Sequence, residues 1–178
     1  MVGGQSTSKA KQTAVSDADQ VFISDELLAV MRSAVAYSLR LKEPAVTPRA
    51  LLLGLLDDAV IGPAIAELID REKLEGQPVP PTVRLGMTRL PEKGLLPGEA
   101  AALARYDTLA FKSPDGKHSL WLNREAHAVF MEAAQRAEGT FTPKHLAFGL
   151  AAEATQSPAV FATLRIEPGV LTDAIFKL

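Results

Sequence analysis

The sequence predicts an all-α protein in which two tandem repeats of about four helices form a pseudo-twofold bundle, with a central insertion that contains a β-hairpin. The main observation is an internal repetition. The stretch TPRALLLGLL at 47–56 returns as TPKHLAFGLA at 142–151, and five of the ten positions are identical. An offset of 95 residues keeps the register as far as Pro63 and Pro158. Because in-register repetition is typical of a repeated structural unit, we expect two copies of one helical motif.

The helix that precedes each stretch repeats at a different offset. An offset of 99 residues pairs Val30 with Val129, so the first copy has four more residues in its first interhelical loop. Insertions in loops are well tolerated. Gly54 and Gly149 occupy equivalent positions inside the repeated stretches. Since glycine inside a helix costs about 1 kcal/mol against alanine, this pair predicts a close helix crossing in each copy.

Three helices are predicted in the first copy. Ser24 is an N-cap followed by two acidic residues, and apolar residues recur at three- and four-residue steps to about Arg40. Thr47, followed by a proline, predicts a second helix that ends near Asp57. Apolar residues on one face predict a third helix over Pro63–Lys73.

The central segment and the second copy follow. Prolines and glycine predict a connector over 74–97, and a short helix is expected over 98–106. Two strand-like arms flank a Pro-Asp-Gly turn in TLAFKSPDGKHSLWL, which predicts the hairpin. Asn123 is the N-cap of a helix that ends before Gly139. The second Thr-Pro helix comes next, and two further helices are predicted over 158–164 and 168–176.

The domain organisation is a tail and one domain. Residues 1–20 are polar and rich in small residues, and we expect them to be disordered. Residues 21–178 are expected to form a single domain, with repeat one at 22–74, the insertion at 75–120 and repeat two at 121–178. A chain of 178 residues with 47% hydrophobic content can bury a sizeable core.

Composition excludes several classes of function. The formal net charge is −2 and the chain has no cysteine, so no overall basic field attracts nucleic acid and no thiolate site or disulfide can form. The first residues lack the apolar core of a signal peptide, and no apolar run approaches the roughly 18 residues that a membrane span needs. We therefore expect a cytoplasmic protein.

The order of features in both copies resembles the double repeat of the Clp chaperone N-terminal domain. The resemblance covers about 22–74 and 121–176 and rests on the capped helix with LLLGLL and on the Pro-Ala start of the next helix. It implies a compact bundle of about eight helices that binds substrates or adaptors. The chain has no G-x-x-x-x-G-K-[ST] loop for nucleotide phosphates, so it is not the ATPase itself. We expect a stand-alone or isolated protein-interaction module, a Clp protease accessory or adaptor whose partner is a Clp-type AAA+ unfoldase or its substrates.

The resemblance also identifies candidate binding residues. Some members recognise phosphoarginine or other basic tags through a glutamate near the start of the second helix of each repeat, and the matching positions here are Arg49 and Lys144. Cations at these positions suit an anion or an acidic peptide, which helix N-termini also favour. With the caps Ser24 and Asn123, they are the four predicted binding residues. The alternative is that Arg49 and Lys144 are solvated cations.

No catalytic constellation is apparent. The chain lacks a G-x-S-x-G elbow, and His118 and His127 lack zinc-ligand spacing. His145, beside a leucine stripe, is interpreted as a packed, hydrogen-bonded structural residue. We therefore expect no enzyme activity, no metal and no cofactor. Two alternatives remain open: a helix-turn-helix-like regulator that binds DNA, and a small enzyme that uses the insertion as a lid.

Overall fold

The computed structural model describes residues 21–78, 88–89, 95–96, 109–152, 155 and 158–178. The expected tail at 1–20 and the expected helix at 98–106 lie outside these ranges. Within them, the protein is mainly helical with a few short strands, as the sequence predicts. The helices are α1 Asp25–Arg40, α2 Pro48–Leu56, α3 Ile61–Ile65, α4 Arg71–Glu75, α5 Arg124–Arg136, α6 Pro143–Ala151, α7 Pro158–Leu164 and α8 Pro168–Phe176. The strands are β1 Val21–Ile23, β2 Thr88–Arg89, β3 Leu95–Leu96, β4 Leu109–Lys112, β5 Ser119–Trp121 and β6 Thr140–Phe141.

Local capping signals set the helix starts. Ser24 Oγ accepts the N–H of Leu27 at 3.1 Å, and Asn123 Oδ1 accepts the N–H of Ala126 at 2.8 Å. These bonds satisfy N–H groups that have no partner inside the first turn of a helix. Thr47 Oγ1 lies 3.4 Å from the N–H of Ala50 at the start of α2. The predicted starts of the first two helices of copy one and of α5 are confirmed.

The third predicted helix is wrong in its extent. Instead of one helix over Pro63–Lys73, the chain forms α3 and α4, which are separated by a turn. Asp70 is extended there, and its side chain accepts the N–H of Lys73 as the N-cap of α4. Aspartate competes with a helix interior through such bonds and is favoured as a cap. The predicted connector at 74–97 accordingly begins inside α4.

Two glycine-mediated crossings confirm the close approach predicted for each copy. A Cβ added to Gly54 would lie 2.6 Å from the carbonyl oxygen of Val30. A Cβ added to Gly149 would lie 2.7 Å from the carbonyl oxygen of Val129. The offset of 99 residues pairs Val30 with Val129, so α1 crosses α2 as α5 crosses α6.

A pair of backbone bridges relates the two copies. Ile23, before α1, pairs in parallel with Phe141, before α6. Val46, before α2, pairs in parallel with Leu122, before α5. The two sequence offsets convert the first pair into the second, because they relate Ile23 to Leu122 and Val46 to Phe141. Each copy thus places its first helix beside the second helix of the other, as a pseudo-twofold arrangement requires.

The predicted hairpin is confirmed. Strands β4 and β5 pair antiparallel, with Phe111 opposite Leu120. Gly116, in the connecting turn, has a φ of 71°, a conformation that glycine adopts without steric cost. The strand orders of the two small sheets are β3-β1-β6 and β2-β4-β5.

One hydrophobic core joins both copies and the hairpin. The ring of Phe130 packs against Phe141 with centroids 4.8 Å apart, and Phe111 of the hairpin packs on Phe130 at 5.4 Å. The hairpin thus covers the bundle and helps to close its core. Among the described helices, none has the length and apolar character needed to cross a membrane.

Candidate functional site

Arg49 lies inside the protein. Only 3% of its surface is exposed, and its Nε donates to Oε1 of Glu43, which is also buried. Its Nη1 donates to the carbonyl oxygens of Leu74, at 3.1 Å, and of Gln77. The guanidinium therefore joins the loop after α1 to the end of α4.

The carboxylate that faces Arg49 is fully engaged. Glu43 Oε2 accepts the hydroxyls of Ser38, at 3.1 Å, and of Thr47, at 3.0 Å, in addition to the ion pair. Buried charges are tolerated when they are paired and hydrogen-bonded in this way. Both charges of the pair are thus compensated internally. Arg49 acts as a structural residue here, not as the surface anion site expected from the sequence.

The two copies diverge around these equivalent cations. The structure places three of the four additional residues of copy one in α1, which has 16 residues against 13 in α5, and not in the loop as the sequence predicts. The offset of 95 residues pairs Glu43 with Glu138, which is exposed. Lys144, equivalent to Arg49, has no hydrogen bond or ion pair of its side chain with any residue that the structure describes. It is half-buried and lines a surface cleft. The two predicted cations are therefore equivalent in sequence but not in environment.

The structure brings each predicted cap beside the Thr-Pro helix of the other copy. The N–H of Ser24 donates to the carbonyl of Phe141 at 3.0 Å, which places Ser24 near the start of α6 and Lys144. The N–H of Asn123 donates to the carbonyl of Val46 at 2.8 Å, near the start of α2 and Arg49. The four predicted residues thus lie in two separate places, each built from both copies.

His145 has the structural role that the sequence predicts. The N–H of Thr142 donates to His145 Nδ1 at 3.1 Å, and the Thr142 hydroxyl lies 2.9 Å from the same atom. This contact closes the start of α6 as a capping box. Burial, and secondarily the charge of Lys144, holds the pKa of His145 below its usual value. The lowered pKa favours the neutral ring, which is the form whose Nδ1 can accept the N–H bond.

Lys144 faces a cleft between the two copies, which we call the interrepeat cleft. Its volume is about 340 Å³. One wall comes from α1 and the turn before α3, and the other comes from the start of α6. The lining residues are Glu26, Asp58, Val60, Ile61, Thr142, Pro143, Lys144 and Leu178.

The polar groups of the cleft are held in different ways. Asp58 Oδ1 accepts the N–H groups of Val60 and Ile61 at 2.9 and 2.7 Å, which fixes the carboxylate at the start of α3. Glu26 is exposed in the first turn of α1, where the helix dipole favours a negative charge. The cleft therefore presents two carboxylates and one ammonium group around an apolar floor.

A smaller groove of about 220 Å³ adjoins the cleft and shares Glu26 and Asp58 with it. It follows the crossing of α1 and α2 at Gly54. Asp57 on its rim accepts the Tyr37 hydroxyl at 3.0 Å and pairs with Arg71 at 3.3 Å. Asp57 is therefore already compensated, whereas Glu26 and Asp58 are common to the groove and the cleft.

Two observations concern the alternative functions that the sequence left open. Helix α2 is buried from Pro48 to Leu55, so it has no face that could enter a DNA groove as a recognition helix. Within the described ranges, no three His, Asp or Glu side chains lie where they could hold a metal ion together. The cleft can bury apolar side chains and pair charges of both signs.

Sequence reasoning missed Glu43, Asp58 and Val60. Glu43 carried no distinguishing signal, because the offset of 95 residues pairs it with Glu138 in the second copy. Asp58 and Val60 carried no signal either, because the cleft forms only when the turn before α3 meets α6. Glu26 was recognised only as a first-turn acid.

Comparison with solved structures supports the fold. The chain is similar to the crystal structure of the N-terminal domain of the caseinolytic protease associated chaperone ClpD from Arabidopsis thaliana, with a TM-score of 0.50 and 15% sequence identity. The similarity covers 87% of this chain and 92% of that domain. No protein-family model and no curated protein matches the sequence. At this identity, the similarity establishes a fold like that of a Clp chaperone N-terminal domain.

Proposed function

We propose that the protein is an interaction module of the Clp N-terminal type, built from two copies of the Clp N-terminal repeat and without catalytic activity of its own. In this proposal it binds a Clp-type AAA+ unfoldase, or substrates and adaptors of such an unfoldase, in the cytoplasm. The observation that carries it is the interrepeat cleft, an open apolar cleft between two helical copies in a fold like that of the ClpD domain.

Exposed apolar residues support this function. Val60, which lines the cleft, is 62% exposed, and Phe176, two residues before the lining residue Leu178, is 69% exposed at the end of α8. Phe176 packs on Phe148 of α6 with ring centroids 4.9 Å apart, one helical turn beyond Lys144. Exposed apolar surface rimmed by polar groups is typical of protein interaction sites. A partner would remove these side chains from water and gain the corresponding hydrophobic free energy.

A pull-down with a Clp-type unfoldase and its protease, followed by a degradation assay, tests the proposal. The wild type should associate with the complex or change the degradation rate of a model substrate. Val60→Asp should abolish the effect because it places a charge in the cleft. Val170→Asp is the matched control, since Val170 is also exposed, at 41%, but lies outside the cleft lining. Absence of association and of any effect on degradation with the wild type would refute the proposal.

A further inference from the structure

We propose that the interrepeat cleft is covered from within the same chain, by residues 9–15 of the N-terminal tail, which place Lys9 and Lys11 against Glu26 and Asp58. The inference goes beyond the proposed function, because it concerns what occupies the cleft before a partner arrives. In this arrangement, a partner protein gains access to the cleft only by displacing the tail.

The charge of the cleft favours a basic occupant. Its lining contains two carboxylates, Glu26 and Asp58, and one ammonium group, Lys144. Neither carboxylate forms an ion pair with a residue that the structure describes. Asp58 is held by two backbone N–H groups, and Glu26 is exposed. The lining therefore carries a net negative charge, which a segment with two lysines would offset.

The sequence of the tail supplies such a segment. Residues 9–15 read KAKQTAV and contain two lysines, one valine and no acidic residue. Lys9, Lys11 and Val15 occupy odd positions, so in an extended segment their side chains point to the same side. Both aspartates of the tail come later, between this segment and β1. The positive charge of the tail is thus separated from its negative charge.

The position of β1 favours the tail over a second copy or a separate partner. Strand β1 leads into α1, which carries Glu26, and pairs in parallel with β6, which leads into the start of α6 at Lys144. The tail is therefore joined to the chain between the two walls of the cleft. Separate molecules lose translational and rotational freedom on association, whereas a tethered segment has an effective concentration on the order of millimolar.

The tail is long enough to reach the cleft after it reverses direction. Strand β1 runs toward the cleft, so the preceding residues have to turn back along it. The four residue steps from Val21 to Asp25 span at most about 14 Å. With residues 16–20, SDADQ, as the turn, Val15 comes beside Val21 and Lys11 beside Asp25. Aspartate and serine are favoured in turns.

An exposed aromatic ring near the junction supports this path. Phe22 of β1 is 53% exposed, although both edges of the strand are occupied, by β3 and β6. The returning tail brings Val15 close to this ring and removes apolar surface from water. In the cleft, the aliphatic stems of Lys9 and Lys11 can cover the exposed Val60 while their ammonium groups pair with the carboxylates.

Paramagnetic relaxation enhancement in the full chain tests the inference. The chain has no cysteine, so Ala10→Cys carries a nitroxide at a single site, on the side of the segment opposite the lysines. The amide signals of Val60 and Lys144 should lose most of their intensity relative to the reduced label. The amide signal of Gly116, in the turn of the hairpin, should keep its intensity.

Charge variants of the tail provide the matched control. In the labelled chain, Lys9→Glu with Lys11→Glu should restore the signals of Val60 and Lys144, because carboxylates would then face carboxylates. Lys9→Arg with Lys11→Arg keeps the charge and should retain the loss of signal. The glutamate pair should also tighten binding of a Clp-type unfoldase several-fold, because a competitor for the cleft is removed.

Unchanged signals at Val60 and Lys144 would overturn the inference, as would a loss that persists in Lys9→Glu with Lys11→Glu. An equal loss when an isotope-labelled chain is mixed with a separate nitroxide-labelled chain would also overturn it, because a second copy would then be the occupant. These outcomes are distinguishable from failure of the proposed function. Signal loss without unfoldase binding retains the tail contact and refutes the function, whereas unfoldase binding without signal loss does the reverse.

Discussion

Replacing Gly54 with alanine tests the close crossing of α1 and α2. The new Cβ would lie 2.6 Å from the carbonyl oxygen of Val30 and 3.2 Å from the backbone nitrogen of Ala34. The first distance is about 0.8 Å shorter than an ordinary van der Waals contact, and the contacted atoms belong to the backbone, so the helices must separate. Because backbone has to move, we expect an overpacking cost of about 2–3 kcal/mol, at the upper end of the usual range, which the higher helix propensity of alanine offsets by about 1 kcal/mol.

The expected net loss for Gly54→Ala is about 1–2 kcal/mol in the free energy of unfolding, or a melting temperature lower by roughly 2–8 °C. Gly149→Ala should cost a similar amount, because its Cβ would lie 2.7 Å from Ala133 Cβ and from the carbonyl of Val129. Gly169→Ala is the matched control: Gly169 has no atom within 4 Å of its added Cβ, so this variant should be unchanged or slightly more stable. Urea denaturation measures all three. A Gly54→Ala variant as stable as the wild type would refute the reasoning.

Three further predictions concern charge and backbone conformation. Arg49→Met should lower the free energy of unfolding by about 3–5 kcal/mol in urea denaturation, because it leaves Glu43 buried without a cation. Lys144→Met should change it by less than about 0.5 kcal/mol, and equal losses would contradict the different environments of the two cations. The pKa of His145 is lowered on folding, so its contribution to stability is complete above about pH 6.5. The contribution falls as the pH decreases, because the unfolded chain then binds the proton first. The loss of unfolding free energy between about pH 7.5 and 5.5 should be smaller in His145→Gln than in the wild type, and equal losses would contradict this. Lys42 follows the C-cap of α1 and has a φ of 59°, which is costly for a residue with a Cβ. Lys42→Gly should therefore raise the melting temperature through a gain of about 1 kcal/mol, and a lower melting temperature would contradict it.

The parts of the fold that depend on neighbouring residues in sequence could be predicted. Ser24 and Asn123 cap the helices that follow them because a short polar side chain reaches back to the first turn, which the sequence shows directly. The glycine crossings could also be predicted, because Gly54 and Gly149 are costly inside a helix unless another backbone approaches them. The repetition then supplied the pseudo-twofold relation that no single copy would have revealed.

The parts that depend on tertiary contacts could not be predicted. Arg49 appeared equivalent to Lys144, but its environment depends on Glu43 and on carbonyl groups of Leu74 and Gln77, which lie far from it in sequence. The break between α3 and α4 was missed because the apolar pattern continues through it, while the local cap at Asp70 prevails.

The interrepeat cleft shows the same limit. Val60 looked like an ordinary residue of a turn, and its exposure at a surface shared by both copies becomes visible only in three dimensions. The sequence therefore indicated the fold more reliably than it indicated the residues that form the cleft.

The central claim is that the cleft binds partner proteins. Its most direct test is a titration of the labelled protein with a Clp-type unfoldase that lacks its own N-terminal domain, with fluorescence anisotropy as the readout. The wild type and Val170→Asp should bind saturably with the same dissociation constant, whereas Val60→Asp should weaken binding at least tenfold, since burying an unpaired carboxylate costs more than about 1.4 kcal/mol. Absence of saturable binding by the wild type, or equal binding by Val60→Asp and Val170→Asp, would contradict the account.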